Sequence, residues 1–200
     1  TLQMAMASSE RIFELLDAKP EPEGGTHQQE SVLGEIEFCG VRFAYEGEDW
    51  VLRDASFKAV LGESIALVGA TGAGKSTIIN LIGRFYEIQY GQILVEGVDI
   101  CKWDIETLRR RIGVVQQDVF LFAGDIEANI GLERASCYKV EQAAHDVNAD
   151  RFIRSLSAGL GYQVAERVVS FSAGQRQLLA SARALAAEPD ILVLDEATAN

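Results

Sequence analysis

Between residues 69 and 76 the chain reads Gly69-Ala70-Thr71-Gly72-Ala73-Gly74-Lys75-Ser76, which fits the pattern GxxxxGK[ST]. Glycines free the backbone to turn its N–H groups toward an anion, and a following helix adds a favourable dipole. In such a loop the lysine reaches the terminal phosphates of a nucleotide, and the serine hydroxyl can bind Mg²⁺. The residues predicted to contact the nucleotide are Gly69, Thr71, Gly72, Ala73, Gly74, Lys75, Ser76 and Thr77.

The segments on either side of this loop support the same interpretation. Residues 64–69 are a short apolar stretch, which we expect to be a buried strand, and a helix is expected from Lys75 to about Arg84. This motif binds phosphate when a strand precedes it and a helix follows it. The alternative is a glycine-rich turn with a chance lysine, and it requires neither neighbour.

A second apolar run, from Ile191 to Leu194, ends in the carboxylates Asp195 and Glu196. A buried strand that carries acids at its carboxyl end is where α/β proteins place ligand chemistry. We expect Asp195 to lie close to Mg²⁺, and Glu196 to be the catalytic residue that polarises an attacking water. Many strands end in aspartate, so this motif is informative because a phosphate loop precedes it.

A third stretch, Phe171-Ser172-Ala173-Gly174-Gln175, begins a strongly helical pattern that we expect from Gln175 to Ala187. It resembles the LSGGQ signature of ATP-binding-cassette (ABC) ATPases, and residues 175–185 resemble the QRQ…ARAL stretch that follows it. A phosphate loop, a signature and an acidic strand in this order separate the ABC family from other P-loop proteins. The resemblance extends from residue 35 onward. The plain alternative is a surface helix capped by Ser172.

The resemblance implies an α/β fold: a P-loop NTPase core, an N-terminal antiparallel β subdomain and an inserted α-helical subdomain that carries the signature. We expect the ABC ATPase domain to span residues 31–200, with the helical subdomain at about 118–178. Residues 1–30 are expected to be the helical tail of a missing transmembrane domain plus a linker. A packed surface helix remains the alternative for the first stretch.

The resemblance also assigns roles outside the phosphate loop. Tyr45 matches the aromatic residue that stacks on adenine, with a half-buried strand tyrosine as the plain alternative. Gln117 matches a catalytic glutamine that touches Mg²⁺ and senses the transmembrane partner, although the alignment could slip by one residue. The metal ligands implied are Ser76, Gln117 and Asp195, and the catalytic residues are Lys75, Gln117 and Glu196.

In the ABC family two such domains face each other head to tail, so each signature closes over ATP held by the other P-loop. A second ABC domain, identical or different, is therefore an expected partner, and the residues expected to contact its nucleotide are Ser172, Gly174 and Gln175. Residues 119–122, 126–130 and 166–167 resemble the exporter subfamily, and Ser9 to Phe13 resembles its join to the last membrane helix. The resemblance thus implies ATP-powered export through a transmembrane domain.

Three departures from the family pattern affect what we expect of this chain. Ala173 replaces a glycine of the signature, and Val168 stands where relatives usually have glycine. The chain stops at Asn200, before the switch histidine of the family, and neither His27 nor His145 can replace it because both precede the signature. We expect the chain to bind Mg-ATP and to hydrolyse it poorly or not at all.

Composition narrows the class and the location of the protein. The net charge is −12, which argues against nucleic acid as a partner because such binders usually present a basic surface. Cys39, Cys101 and Cys137 are odd in number and far apart, which argues against a disulfide framework or a zinc site. No apolar run approaches the roughly 18 residues of a membrane span. We expect the domain at the cytoplasmic face of a membrane, such as a bacterial inner membrane.

Two other functions remain as alternatives. A non-transport ABC ATPase of DNA repair or translation would share the three motifs, but it would not need the exporter-like join at Ser9 to Phe13. A nucleotide-binding module that lacks hydrolysis would be consistent with the absence of the switch histidine, whereas Glu196 argues against it for the longer protein.

Overall fold

The computed structural model describes residues 6, 9–13, 16, 17, 21, 23–132, 134–164 and 171–195, of which 9–13 are helical. Near the N-terminus four strands form an antiparallel sheet with the order β2-β1-β3-β4. They are β1 (Ile36–Phe43), β2 (Leu52–Ala59), β3 (Tyr90–Val95) and β4 (Val98–Asp99). The buried residues of β1 alternate along much of the strand, as expected for one covered face. The expected N-terminal antiparallel β subdomain is confirmed.

The helix α1 (Lys75–Ile82) follows the glycine-rich loop, as predicted. Its buried residues Leu81 and Ile82 belong to the same apolar cluster as Phe43 of β1 and Ile93 of β3. Apolar burial thus anchors the C-terminal end of α1 on the sheet, while Ser76 in its first turn stays exposed.

Residues 23–27, which we expect to be linker, pack against the segment that immediately precedes the helix α2 (Ile105–Arg111). The Gly25 N–H donates to the Trp103 carbonyl at 2.8 Å, and the His27 N–H donates to the Lys102 carbonyl at 2.9 Å. His27 is half-buried and meets the fully buried Trp103 ring edge-on, with centroids 4.5 Å apart. Ring packing and backbone pairing thus hold this segment against the protein, so His27 is not an ordinary surface residue.

After α2 the chain forms β5 (Ile112–Val115) and then a largely helical region with its own core. Its elements are β6 (Gly124–Asp125), α3 (Ile126–Gly131), α4 (Cys137–Asp146), α5 (Asp150–Ser155), β7 (Gln163–Val164) and α6 (Ala173–Ala186). Leu179 and Ala182 of α6 are buried in this second core together with Ile126 of α3. Helix α6 begins two residues earlier than predicted, because Ser172 caps it.

The last strand, β8 (Ile191–Leu194), pairs in parallel with β5, so that Ile112 faces Ile191 and Val115 faces Leu194. The strand is confirmed, but the expectation that it is buried is wrong for Leu192 and Leu194, which are 45% and 53% exposed. Among the described residues β8 pairs on one side only, and no second layer covers these side chains.

Residues 64–69 are not a strand, contrary to the sequence-based prediction, and all of them are exposed. Val68 is 94% exposed. A strand requires a ladder of hydrogen bonds with a neighbour, and within the described part of the chain this segment pairs with no strand. No helix in the described ranges is long and apolar enough to cross a membrane.

Candidate nucleotide-binding site

The glycine-rich loop turns in the left-handed region at two positions, Gly72 with φ +84° and Gly74 with φ +88°. Gly74 is the N-cap of α1. It is buried against Leu52, the first residue of β2, and against Val51, which precedes that strand. A Cβ atom at this position would lie 2.8 Å from Leu52 Cδ2 and 3.3 Å from Val51 Cγ1. The end of the loop is therefore held close to the antiparallel sheet in a conformation that glycine adopts without strain.

The start of α1 differs from the starts of three other helices in this protein. Helices α2, α3 and α6 each have a side chain that accepts a hydrogen bond from a first-turn N–H: Asp104, Asp125 and Ser172. Helix α1 has no such capping side chain and no acidic residue in its first turn, a combination that it shares with α4. Because the first N–H groups of a helix have no partner within it, this end of α1 is suited to bind an anion.

Lys75 lies over the loop rather than extending away from it. Its Nζ donates to the Gly69 carbonyl at 2.8 Å and to the Ala70 carbonyl at 3.1 Å. These contacts place the ammonium within the turn that the loop makes, beside the first turn of α1. Lys75 and the helix end thus put positive charge at one place on a chain whose net charge is −12.

Tyr45 lies two residues beyond β1 and next to α1. Its hydroxyl shares a hydrogen bond of 3.1 Å with the Oγ1 of Thr77, a buried residue in the first turn of the helix. Tyr45 is 47% exposed, and its ring meets the rings of Phe43 and Tyr86 edge-on. The structure therefore brings a partly exposed aromatic ring to the side of the phosphate loop, where a nucleobase could stack.

The carboxyl ends of β5 and β8 bring the predicted metal ligands of two distant segments to one edge. The Asp195 N–H donates to the Val115 carbonyl at 2.9 Å, which continues the pairing of the two strands. Gln117 is exposed two residues past the end of β5, at the same edge. Glu196, the predicted catalytic residue, lies outside the described residues, as do Val168 and residues 166–167.

The signature residues form the start of α6. The Ser172 Oγ accepts from the Gln175 N–H at 3.2 Å, while the Ser172 N–H donates to the Gln175 Oε1 at 2.9 Å. This reciprocal pair is a capping box, so the plain alternative of a capped helix is realised in the structure. It is compatible with ligand binding, since Ser172 and Gly174 remain exposed and the hydroxyl proton of Ser172 is not used by the cap.

Sequence reasoning missed a cluster that joins α6 to the segment after Gln117. Arg183 donates to the Phe120 carbonyl at 2.9 Å and to the Asn129 carbonyl at 2.7 Å. Asn129, only 1% exposed, pairs through its amide with both the N–H and the carbonyl of Phe122. Burial lowers the pKa of Arg183. Arg183 lies in the stretch 175–185 that resembles the family pattern, but its partners lie 54 and 63 residues away along the chain.

Comparison with known proteins is consistent with this geometry. Residues 52–199 match the ABC transporter family. The whole chain is 48% identical to an ABC transporter ATP-binding protein of Streptococcus pneumoniae and covers 35% of it. The whole chain is likewise 44% identical to a fatty acid ABC transporter ATP-binding/permease protein of Mycobacterium bovis and covers 32% of it.

Solved structures include a similar chain. A bacterial Atm1-family ABC exporter with ATP bound superposes with a TM-score of 0.87 at 34% identity, over 98% of this chain and 35% of the exporter. The present chain thus spans about a third of the length of the proteins that it resembles.

Proposed function

Because the chain belongs to the ABC transporter family, we propose that it is the ATPase domain of an exporter, binding Mg-ATP at residues 69–77. Hydrolysis of ATP would drive substrate export through an attached transmembrane domain. The observation that carries this proposal is the uncapped start of α1, which follows left-handed turns at Gly72 and Gly74 and lies beside the exposed ring of Tyr45.

Each part of this site suits one part of ATP. The free N–H groups at the start of α1 would donate to phosphate oxygens, and the Lys75 ammonium would exchange its two loop carbonyls for the terminal phosphates. Tyr45 would stack on adenine, since aromatic rings bind bases through their faces. The hydrogen bond between Tyr45 and Thr77 joins the base subsite to the phosphate subsite.

The residues proposed for Mg²⁺ fit its chemistry. Ser76, Gln117 and Asp195 all offer oxygen atoms, which Mg²⁺ prefers. No group of three carboxylate, histidine or cysteine side chains clusters in the described ranges, so phosphate oxygens and water would complete the coordination, as is usual for this ion. When bound, Mg²⁺ supplies positive charge that stabilises the phosphate oxygens during transfer.

Hydrolysis requires a group that orients water on the terminal phosphate. We assign this role to Glu196, which directly follows Asp195 in the sequence. Gln117 would contact the same region from the end of β5 and report its state to the transmembrane domain. Both roles are supported by the common edge of β5 and β8, where the backbones of Val115 and Asp195 are hydrogen-bonded.

The exposed signature at the start of α6 supports a head-to-tail pair of domains. Ser172, Gly174 and Gln175 would close over ATP held by a second ABC domain, with the dipole of this 14-residue helix directed at the phosphate. We propose residues 31–200 as the ATPase domain, about 118–178 as its helical subdomain, and residues 1–30 as the connection to the membrane. The domain would then lie at the cytoplasmic face.

A calorimetric titration with Mg-ATP tests the binding site, with Lys75→Ala as the variant and Lys102→Ala as the matched control. Lys75 contacts the loop, whereas Lys102 is exposed before α2. Loss of a charge-assisted hydrogen bond predicts roughly tenfold weaker binding or more for Lys75→Ala, and no change for Lys102→Ala. Equal affinity in all three proteins would contradict the proposal.

A further inference from the structure

We propose that Tyr86 and Gln89, in the segment between α1 and β3, are positioning residues that hold the ring of Tyr45 in place for the nucleobase. This inference rests on the proposed function, because it takes Tyr45 to be the base-stacking residue. It adds that the affinity for the base depends on two residues that neither bind phosphate nor belong to the glycine-rich loop.

Gln89 fixes the backbone immediately before Tyr45. Its Oε1 accepts from the Ala44 N–H at 3.1 Å, and its Nε2 donates to the Ala44 carbonyl at 2.9 Å. β1 ends at Phe43 and β3 begins at Tyr90, so this side chain continues the pairing of the two strands beyond their last backbone partners. The oxygen and the nitrogen of the Gln89 side-chain amide thus both pair with Ala44, which is 2% exposed.

Tyr86 constrains the ring itself. The ring of Tyr86 lies 5.0 Å from that of Tyr45 at an angle of 88°, and 5.8 Å from that of Phe43. Phe43 in turn meets Tyr45 at 4.9 Å and 84°. These three rings thus form a closed set of mutual contacts, with Phe43 buried at its base. Two near-perpendicular neighbours restrict the rotation of the Tyr45 ring.

The segment that contains Tyr86 and Gln89 also includes the first turn of α1, which is part of the proposed phosphate site. Tyr86 and Gln89 follow the C-terminal end of α1, and Thr77 in the first turn of α1 shares a hydrogen bond with Tyr45. One continuous segment, residues 75–89, therefore includes the first turn of α1. The same segment contacts the hydroxyl of Tyr45, the ring of Tyr45 and the backbone of the residue before it. The distance between base and phosphate subsites follows from this arrangement.

Two substitutions separate positioning of the ring from general support of the fold. Tyr86→Leu removes the ring contact, with Tyr86→Phe as the conservative variant that keeps it. Gln89→Ala removes both hydrogen bonds to Ala44, with Gln92→Ala, an exposed residue on β3, as the matched control. Affinities for Mg-ATP and for Mg-tripolyphosphate, which has no base, are measured for each protein, together with a thermal melt.

We expect Tyr86→Leu and Gln89→Ala to bind Mg-ATP roughly three- to tenfold more weakly, the scale of one lost aromatic contact. Tripolyphosphate affinity should stay within about twofold, because phosphate binding does not use the ring. Tyr86→Phe and Gln92→Ala should match the parent. Unchanged ATP affinity in both test variants, or an equal loss for both ligands, would overturn the inference. A parent chain that binds neither ligand would refute the proposed function itself.

Discussion

A methyl group added at Gly74 is predicted to damage the phosphate loop far more than the same addition at Gly72. Both residues have nearly the same positive φ, +88° and +84°. Around Gly72 a Cβ atom would meet nothing within 4 Å, whereas at Gly74 it would lie 2.8 Å from Leu52 Cδ2. The pair of substitutions Gly72→Ala and Gly74→Ala therefore separates backbone strain from collision.

The expected losses of affinity for Mg-ATP follow from the backbone strain and from the collision. An alanine in the left-handed region costs about 1–2 kcal/mol, which corresponds to roughly 5- to 30-fold in affinity if the loop must keep its shape. The collision at Gly74 adds an overpacking cost of about 1–3 kcal/mol. Gly74→Ala should therefore bind Mg-ATP roughly 5- to 150-fold more weakly than Gly72→Ala.

Calorimetric titration of both variants measures this difference, and a double-mutant cycle with Leu52→Val identifies its cause. Valine lacks the Cδ2 atom, so Gly74→Ala should lose less affinity in the Leu52→Val background than in the parent. Gly72→Ala should show no such coupling. Equal losses at the two glycines, or additive effects of Gly74→Ala and Leu52→Val, would refute the reasoning.

Three further substitutions probe other parts of the structure. Ser172→Ala removes the capping box of α6 and should cost about 1 kcal/mol of unfolding free energy in urea, with Ser172→Asn restoring most of it. Asn129→Ala removes the hydrogen bonds that this buried amide makes with the N–H and the carbonyl of Phe122, and it should cost about 1–3 kcal/mol by the same assay. A loss below about 0.5 kcal/mol would contradict a stabilising role for the buried amide of Asn129. The hydrogen bond from Arg109 lowers the pKa of Glu21 below its usual 4.5, so its stabilisation is present at neutral pH and is lost as the pH falls through that lowered pKa. Thermal melts should therefore distinguish Glu21→Gln from the parent at pH 7 and should coincide well below pH 4.5, whereas a pH-independent difference would argue against the ion pair.

Local signals predicted the parts of the fold that local chemistry determines. The glycine spacing before Lys75 predicted a loop followed by a helix, and α1 begins at that residue. The apolar run at 191–194 predicted a strand, and β8 forms there. Patterns of this kind depend on the geometry of a few neighbouring residues, which is why a single sequence is sufficient to recognise them.

Burial and long-range contacts could be predicted less well from the sequence. Residues 64–69 and Leu192 are apolar and were expected to be buried, but an apolar run does not show whether a neighbouring strand covers it. Gln89 contacts Ala44 across 45 residues, and Arg183 contacts Asn129 across 54. No periodicity marks a polar side chain whose partner is a distant backbone group, so the residues that support Tyr45 became visible only in the structure.

The central claim is that ATP binds with its phosphates on the glycine-rich loop and the first turn of α1. Hydrogen–deuterium exchange, measured with and without saturating Mg-ATP, tests this claim directly because it reports on the backbone N–H groups themselves. Slower exchange at residues 71–78, together with no such change in Lys75→Ala, is the predicted result. Binding of Mg-ATP without protection of these amides would contradict it.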